Sequence, residues 1–492
     1  MSLTRKTVRS AVWLLGSRAW TQVMNLTIGV TLARLLSPAD YGLLGMVLVT
    51  TGLVGVLADL GLSAAVVQKQ DLSQRELSGI FWFGLAVAGL VGGVIAAFSP
   101  WAAAFYGQPK VVRLMCVVAL SFPITALGAV QGALVQKSMR FRAATLVHLG
   151  ATLTAGLLAL GAAWAGWQVW ALVVQSLVTA GLGAAGLWCI SDWRPDWTFA
   201  RRDLARIWDF SLNLTGFQMV NYFARKADSF LIGRFLGPGP LGFYTLAYTL
   251  MVYPIANFIS VAQGVLMPAL SQVQSEPARA ARAYIRACGY LAFLILPAMV
   301  GLALVAPEAV LLVYGPQWAE TGQVLQILAW VGTFQPFVSL IGALFVARGL
   351  TRLFFWWGLG ASAVTVLGFV IGLRWGIVGV ASAYLTTEVL LTVCGMPWLY
   401  RQVEVGVKPL LRALAVPAAA AGGMGLAVFA LRAGLLAGGE SSPLVIVTAC
   451  VGTGVVVYGA LLWLLKGYFW SEVRDELGRI FGARLGGVSA EV

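Results

Sequence analysis

FSLNLTGFQMVNYFARKADSFLIGRFL, residues 210–236, is an apolar run long enough to cross a bilayer, and it carries Arg225, Lys226 and Asp228 near its middle. Charge at that depth costs at least a few kcal/mol per residue, so it persists mostly where it faces a bundle interior or a water-filled path. The triplet therefore points to a polar cavity within a bundle of membrane helices.

The chain around it has the same character. Of its 492 residues 60% are hydrophobic and only 11% charged, with a mean hydropathy of +0.86. A soluble domain carries about a quarter charged residues. The longest plainly polar connection, 191–209, is shorter than the smallest domains that usually fold alone, so a separate aqueous catalytic module is excluded. The apolar run 11–33 behind Arg5, Lys6 and Arg9 is too long for a secretory h-region and has no small-x-small cleavage site, so it reads as an uncleaved first span. Five cysteines, Cys116, Cys189, Cys288, Cys394 and Cys450, are scattered singly, with no spacing for a metal site or a disulfide framework.

A span needs about twenty apolar residues. Such runs occur at 11–33, 42–62, 77–99, 111–134, 144–165, 168–190, 210–233, 242–267, 287–313, 321–347, 353–373, 376–397, 411–432 and 443–465, which makes fourteen expected spans. With the N-terminus cytoplasmic, 24 of the 33 basic residues fall on inside segments and six outside: Arg34, Lys110, Arg113, Arg234, Arg374 and Arg432. Arg18, Arg225 and Lys226 fall within spans. Lys and Arg are enriched on cytoplasmic loops, so both termini are expected to be cytoplasmic. The net charge of +14 is then mostly topology signal and contact with anionic headgroups, with nucleic acid excluded as a partner. Trp197 to Trp208 alternates aromatic and basic residues at helical spacing and reads as a helix lying in the cytoplasmic interface. Other Trp residues gather near span ends, as an aromatic belt would.

The chain also repeats itself. Arg34, Leu36, Pro38 and Gly42 return 200 residues later as Arg234, Leu236, Pro238 and Gly242, and Leu14 and Gly16 return as Leu214 and Gly216. Pro123 of span four has a counterpart in Pro336 of span ten, and the opening of span six at 167–172 has one in 376–381. Six spans bring the chain back to its starting side, so the copies have the same orientation, and parallel repeats of this kind hold substrate between two lobes. The expected architecture is an all-α polytopic membrane protein: an N-lobe at 1–200 (helices 1–6 and the interfacial helix), a C-lobe at 201–410 (helices 7–12), helices 13–14 at 411–465 and a cytoplasmic tail at 466–492. Pro123, Pro254, Pro297 and Pro336 break hydrogen bonding inside spans and mark kinks or hinges.

Several stretches carry a family resemblance: Asp59-Leu-Gly-Leu-Ser-Ala-Ala-Val-Val-Gln68 with Leu77-Ser-Gly-Ile-Phe-Trp82, Gly128-Ala-Val-Gln-Gly-Ala-Leu-Val-Gln136 with Met139-Arg-Phe141, Trp170-Ala-Leu-Val-Val-Gln175, Asn221-Tyr-Phe-Ala-Arg-Lys-Ala-Asp228 with Ile232-Gly-Arg-Phe-Leu-Gly237, Leu241-Gly-Phe-Tyr244 and Gly376-Ile-Val-Gly-Val-Ala381. In this order they resemble the polysaccharide transporter group of the multidrug/oligosaccharidyl-lipid/polysaccharide exporter superfamily, the flippases for lipid-linked repeat units of the colanic-acid and lipopolysaccharide type. The resemblance implies two six-helix lobes around a cationic cavity, alternating access, and coupling to a proton or sodium gradient with no bound cofactor. The implied substrate is an undecaprenyl-diphosphate-linked oligosaccharide, moved from the cytoplasmic to the periplasmic leaflet of a bacterial inner membrane for surface polysaccharide synthesis. The other implied partners are the bilayer and the polymerase and glycosyltransferases of the pathway. Helices 13 and 14 are expected to serve the lipid tail, as an extra pair does in the peptidoglycan-precursor branch.

An opposed cation is worth far more to a diphosphate in a low-dielectric cavity than in water, and the donor fork of Arg matches phosphate oxygens. Arg225 is the first candidate contact, with Lys226 beside it. Arg18, about 10 Å into span one, is the cytoplasmic-side candidate, and Gln22 and Asn25 continue its face toward sugars. The competing reading of Arg225 is a neutralising pair with Asp228 at i, i+3. Asp228, Glu388 and Asp59 are the acids available for coupling or for ion pairs; Glu388 lies near the centre of span twelve, and Asp59 stands one turn from the end of span two, within reach of Lys69 or Arg18. His148, the sole histidine, reads as an interfacial residue. Two other functions remain open at this point. A cation-coupled multidrug exporter of the same superfamily should have an acidic or apolar cavity, and a membrane polysaccharide polymerase or ligase should have a large external loop with acid/base chemistry. The short external connections and the buried cations favour the flippase.

Overall fold

The computed structural model describes residues 20–59, 66–67, 72–197, 222–223, 225–272 and 276–465, and among them all regular structure is helical. Arg18, residues 198–208 of the expected interfacial helix and the tail 466–492 lie outside the described residues, as does the side chain of Asp59. Ten described helices are long and apolar enough to cross a membrane. They correspond to eleven of the expected spans, because Thr351–Gln402 takes in both the eleventh and the twelfth. Expected spans one, seven and eight lie partly outside the described residues.

The described residues form two compact units. The first takes in those up to Leu246 together with Tyr314–Trp318 and Leu373–Ile377, and the second takes in the remainder. In the first unit α1 (residues 20–35) leads through a two-residue turn to α2 (Pro38–Asp59). Ser37 and Asp40 cap that turn reciprocally: the Ser37 hydroxyl accepts from the Asp40 N–H (3.3 Å), while Oδ2 of Asp40 accepts from the Ser37 N–H (3.0 Å). The other carboxylate oxygen of this buried residue accepts from the N–H of Val169, 129 residues away. Asp40 thus fixes the start of α2 against the start of the sixth span. The helices α3 (Gln74–Tyr106), α4 (Lys110–Ala119), α5 (Ser121–Lys137), α6 (Phe141–Trp164) and α7 (Val169–Ile190) complete the first repeat. Ile28 and Leu32 of α1, with Leu36 of the turn, pack on Ala159 and Ala163 of α6 and on Ala171 and Leu172 of α7. Small residues permit such close approach where lipid removes the hydrophobic drive between helices.

The unit ends with the helix through residues 225–235, α8, and the start of α9 (Pro238–Gln272). The second unit continues through α10 (Pro277–Tyr314), α11 (Ala319–Gly332), α12 (Gln335–Ala347), α13 (Thr351–Gly372) and α14 (Gly376–Leu390), then a π-helical turn at Leu391–Gly395, α15 (Met396–Gln402), α16 (Val407–Ala437) and α17 (Pro443–Leu464). Val300 and Val305 of α10 form one core with Ala421, Met424 and Val428 of α16 and Ile446 and Cys450 of α17. Glu308 of α10 and Arg432 of α16 form a shielded ion pair at 2.6 Å.

The duplication is written in the backbone as well as in the residues. Both α4–α5 and α11–α12 are single spans interrupted just before a proline, Pro123 and Pro336, because proline has no N–H to give and its ring disfavours helix in the residue before it. Residues with positive φ recur 208 to 210 positions apart: Gly107 with Gly315, Met139 with Gly349, and Gln168 with Gly376. An ion pair closes the same place in each copy, Arg140–Asp192 and Arg348–Glu404, both at 3.4 Å. The role of Arg140 in the second copy thus falls to Arg348.

Gln168, with φ 50° and ψ −133°, occupies backbone space suited to glycine, which is the residue its counterpart Gly376 supplies. A side chain there stores about 1–3 kcal/mol of strain, against about 0.5–1 kcal/mol for the extra freedom of an unfolded glycine. Gln168→Gly is therefore expected to raise stability by about 1 kcal/mol in thermal unfolding of the detergent-solubilised protein. A lower midpoint than the parent's would refute the strain.

Candidate functional site

The site is built on α8, and two tyrosines hold that helix. Asp228 is 4% exposed, and its carboxylate accepts from the Tyr244 hydroxyl (2.9 Å), from its neighbour's N–H (2.6 Å) and from the Ser229 hydroxyl (3.1 Å). The i, i+3 pair with Arg225 that the spacing allows is not formed. Asp228 faces the packed side of α8 with Ala227 and Ser229, while Arg225 is exposed and Lys226 half-buried. Ahead of α8 in the chain, the Tyr222 hydroxyl donates to the carbonyls of Leu48 (3.2 Å) and Val49 (3.1 Å) on α2. A Cβ at Gly52 would overlap that hydroxyl, so the glycine admits the tyrosine. Burial of a carboxylate is costly unless hydrogen bonds satisfy it, and here they come from α8 itself and from α9. The result is a braced helix on which Arg225 is exposed and is not neutralised by the acid three residues away.

Of the other sequence candidates in this unit, Gln22 is half-buried and Asn25 exposed, one turn apart on α1. Glu388 belongs to the second unit. It is half-buried, one turn ahead of the π-helical segment, and makes no ion pair among the described residues. The Thr392 hydroxyl within the π turn is buried without a partner. Single π turns inside α-helices are frequent at functional sites. His148 is exposed. No group of three His, Cys, Asp or Glu side chains converges on a metal site among the described residues.

The duplicated motif also brings its two copies together in the first unit. A Cβ on Gly42 would overlap the carbonyl of Pro238, and a Cβ on Gly242 would overlap the carbonyl of Pro38. Each copy's glycine therefore receives the other's proline. Leu241 fills the crossing from α9, with its side chain 3.5 Å from where Gly45 would carry a Cβ. Tyr222, Tyr244 and Asp40 gave no sequence signal beyond their residue type. The glycine crossing was legible as a repeat, though not as a contact.

A family described as polysaccharide biosynthesis protein matches residues 31–323. The chain belongs to that family. Members similar to it include the succinoglycan biosynthesis transport protein ExoT of Rhizobium meliloti, 26% identical over 405 residues that cover 81% of each chain. The lipopolysaccharide biosynthesis protein WzxC of Escherichia coli is 24% identical over 400 residues, or 80% of each. Among solved structures, the lipid II flippase MurJ in an inward closed conformation superposes with a TM-score of 0.74, covering 94% of this chain and 99% of that one at 14% identity. The family member described here thus shares the fold of that structure and is a multi-pass membrane protein.

Proposed function

We propose that this protein is a flippase that carries undecaprenyl-diphosphate-linked oligosaccharide repeat units from the cytoplasmic to the periplasmic leaflet of a bacterial inner membrane, by alternating access between its two repeats. The observation that carries the reading is Arg225: an exposed guanidinium on a span helix whose nearby acid is occupied by Tyr244 and Ser229. A cation so left serves an anion, and a diphosphate offers the oxygens a guanidinium fork matches. The roles for which the relatives are named, transport in succinoglycan synthesis and lipopolysaccharide biosynthesis, agree with a glycan-bearing substrate. Lys226, Arg18, Gln22 and Asn25 extend the cationic and polar lining in this proposal, and both termini lie in the cytoplasm. Glu388, with Asp228 and Asp59, supplies the acids for coupling to a proton or sodium gradient. Helices α16 and α17 serve the lipid tail, and the polymerase and glycosyltransferases of the pathway work beside the protein.

The test is reconstitution into liposomes with a labelled lipid-linked oligosaccharide, following leaflet exchange with and without an imposed proton or sodium gradient. Exchange well above protein-free liposomes supports the reading. Background exchange together with active uptake of a cationic drug would replace it with multidrug export.

A further inference from the structure

The turn between α10 and α11 reaches into the first unit. Gly315, at φ 97°, releases the chain from α10, and Pro316–Trp318 form one turn of 3-10 helix. Trp318 is completely buried. Its indole N–H donates to the Ala33 carbonyl at 2.8 Å, and the Gln317 amide donates to the carbonyls of Ala33 (2.8 Å), Arg34 (3.3 Å) and Leu36 (3.3 Å). The end of a helix leaves carbonyls without partners. Ala33 is a specific case: the N–H of Ser37 that would close its helical turn is held by Asp40 instead. Gln317 and Trp318 therefore cap α1 from a segment more than 280 residues away.

The indole also touches both copies of the duplicated helix. Tyr41 of α2 meets its ring edge-on at 5.2 Å, and Phe243 of α9 does so at 6.0 Å, each at 89°. Tyr41 adjoins Gly42 and Phe243 adjoins Gly242, so both contacts exist together only while the two helices cross at those glycines. The first repeat carries a different residue at the corresponding place. At the 208-residue separation that relates Gly107 to Gly315, the counterpart of Trp318 is Lys110, which is exposed.

We propose that Gln317 and Trp318 are a latch on the Gly42–Gly242 crossing, and that a substrate passes this end of the protein only when the indole leaves the gap between Tyr41 and Phe243. The proposal rests on the transport reading above for its purpose, but the latch itself is tested without any substrate. Leu241 is fully buried inside the crossing and serves as the reporter. In a cysteine-free chain carrying Leu241→Cys, labelling by a membrane-impermeant maleimide is followed in right-side-out and in inverted vesicles. A control cysteine replaces Leu344, which is fully buried in the second unit.

With the latch intact, Cys at 241 is expected to react slowly. Trp318→Ala, and separately the milder Gln317→Ala, should each raise its rate by at least about tenfold, the factor that 1.4 kcal/mol of lost closure produces, while the control site stays protected. Three results would overturn the latch: rates at 241 unchanged by both substitutions, equal increases at 241 and at the control site, or rapid labelling in the parent. Glycan exchange in liposomes reports on the transport reading alone, so the two ideas fail separately.

Discussion

Arg432→Ala is expected to lower the unfolding free energy by about 3 kcal/mol, because it strands a buried carboxylate. Arg432 donates from Nε (3.1 Å) and Nη2 (2.6 Å) to the same oxygen of Glu308. The two side chains are 20% and 11% exposed, well inside the range where solvent screening is weak. The second oxygen, Oε2, is buried and has no partner, so the arginine is the principal support of that charge. Removing one member of such a pair costs about 3–5 kcal/mol, whereas replacing both by apolar residues of similar volume is often neutral. The double variant Glu308→Leu with Arg432→Met should therefore regain most of the loss in thermal unfolding from detergent micelles. Since the pair joins α16 to α10, the single variant should also expose α17 and α16 to proteolysis before the remainder. A double variant as unstable as the single one would show that shape, and not stranded charge, holds these helices together.

Arg225→Ala is expected to reduce lipid-linked glycan exchange by roughly ten- to a hundredfold at unchanged membrane abundance. A hydrogen bond to a charged group contributes about 1.5–3 kcal/mol, and each 1.4 kcal/mol is a factor of ten. Arg225→Lys should fall between, since an ammonium keeps the charge and loses the fork. The substitution should barely alter stability, because Arg225 is exposed and Asp228 keeps its Tyr244 and Ser229 donors without it. Tyr244→Phe, by contrast, should cost stability, as it removes a donor from a buried carboxylate. Full exchange by Arg225→Ala at normal abundance would end the anion-binding role.

Eleven of the expected spans were legible because each is a long apolar run, and the breaks at Pro123 and Pro336 because proline acts locally. The partner of Asp228 was not legible. Arg225 is the nearer in sequence, yet Tyr244, 16 residues on and beyond a helix turn, is what the packing delivers. Glu308 and Arg432 were hidden for a related reason: an acid beside Pro307 and a basic residue at a span end each look like solvent-facing termini, and only the approach of α16 to α10 makes them a pair. Trp318 carried no signal of its own, since nothing in its neighbourhood announces that the Ala33 carbonyl lacks a helical partner. Periodicity and charge report on single helices, while these contacts depend on which helices meet.

The crossing in which Gly42 receives Pro238 and Gly242 receives Pro38 has the form of a two-fold interface, where residue i meets j and j meets i. It is the contact that two identical half-length chains would make with each other. Joining the halves into one polypeptide frees them to diverge, and the turn with Lys110 in one copy and Trp318 in the other is a divergence that identical subunits have no means to express, since they would carry the indole at both turns or at neither.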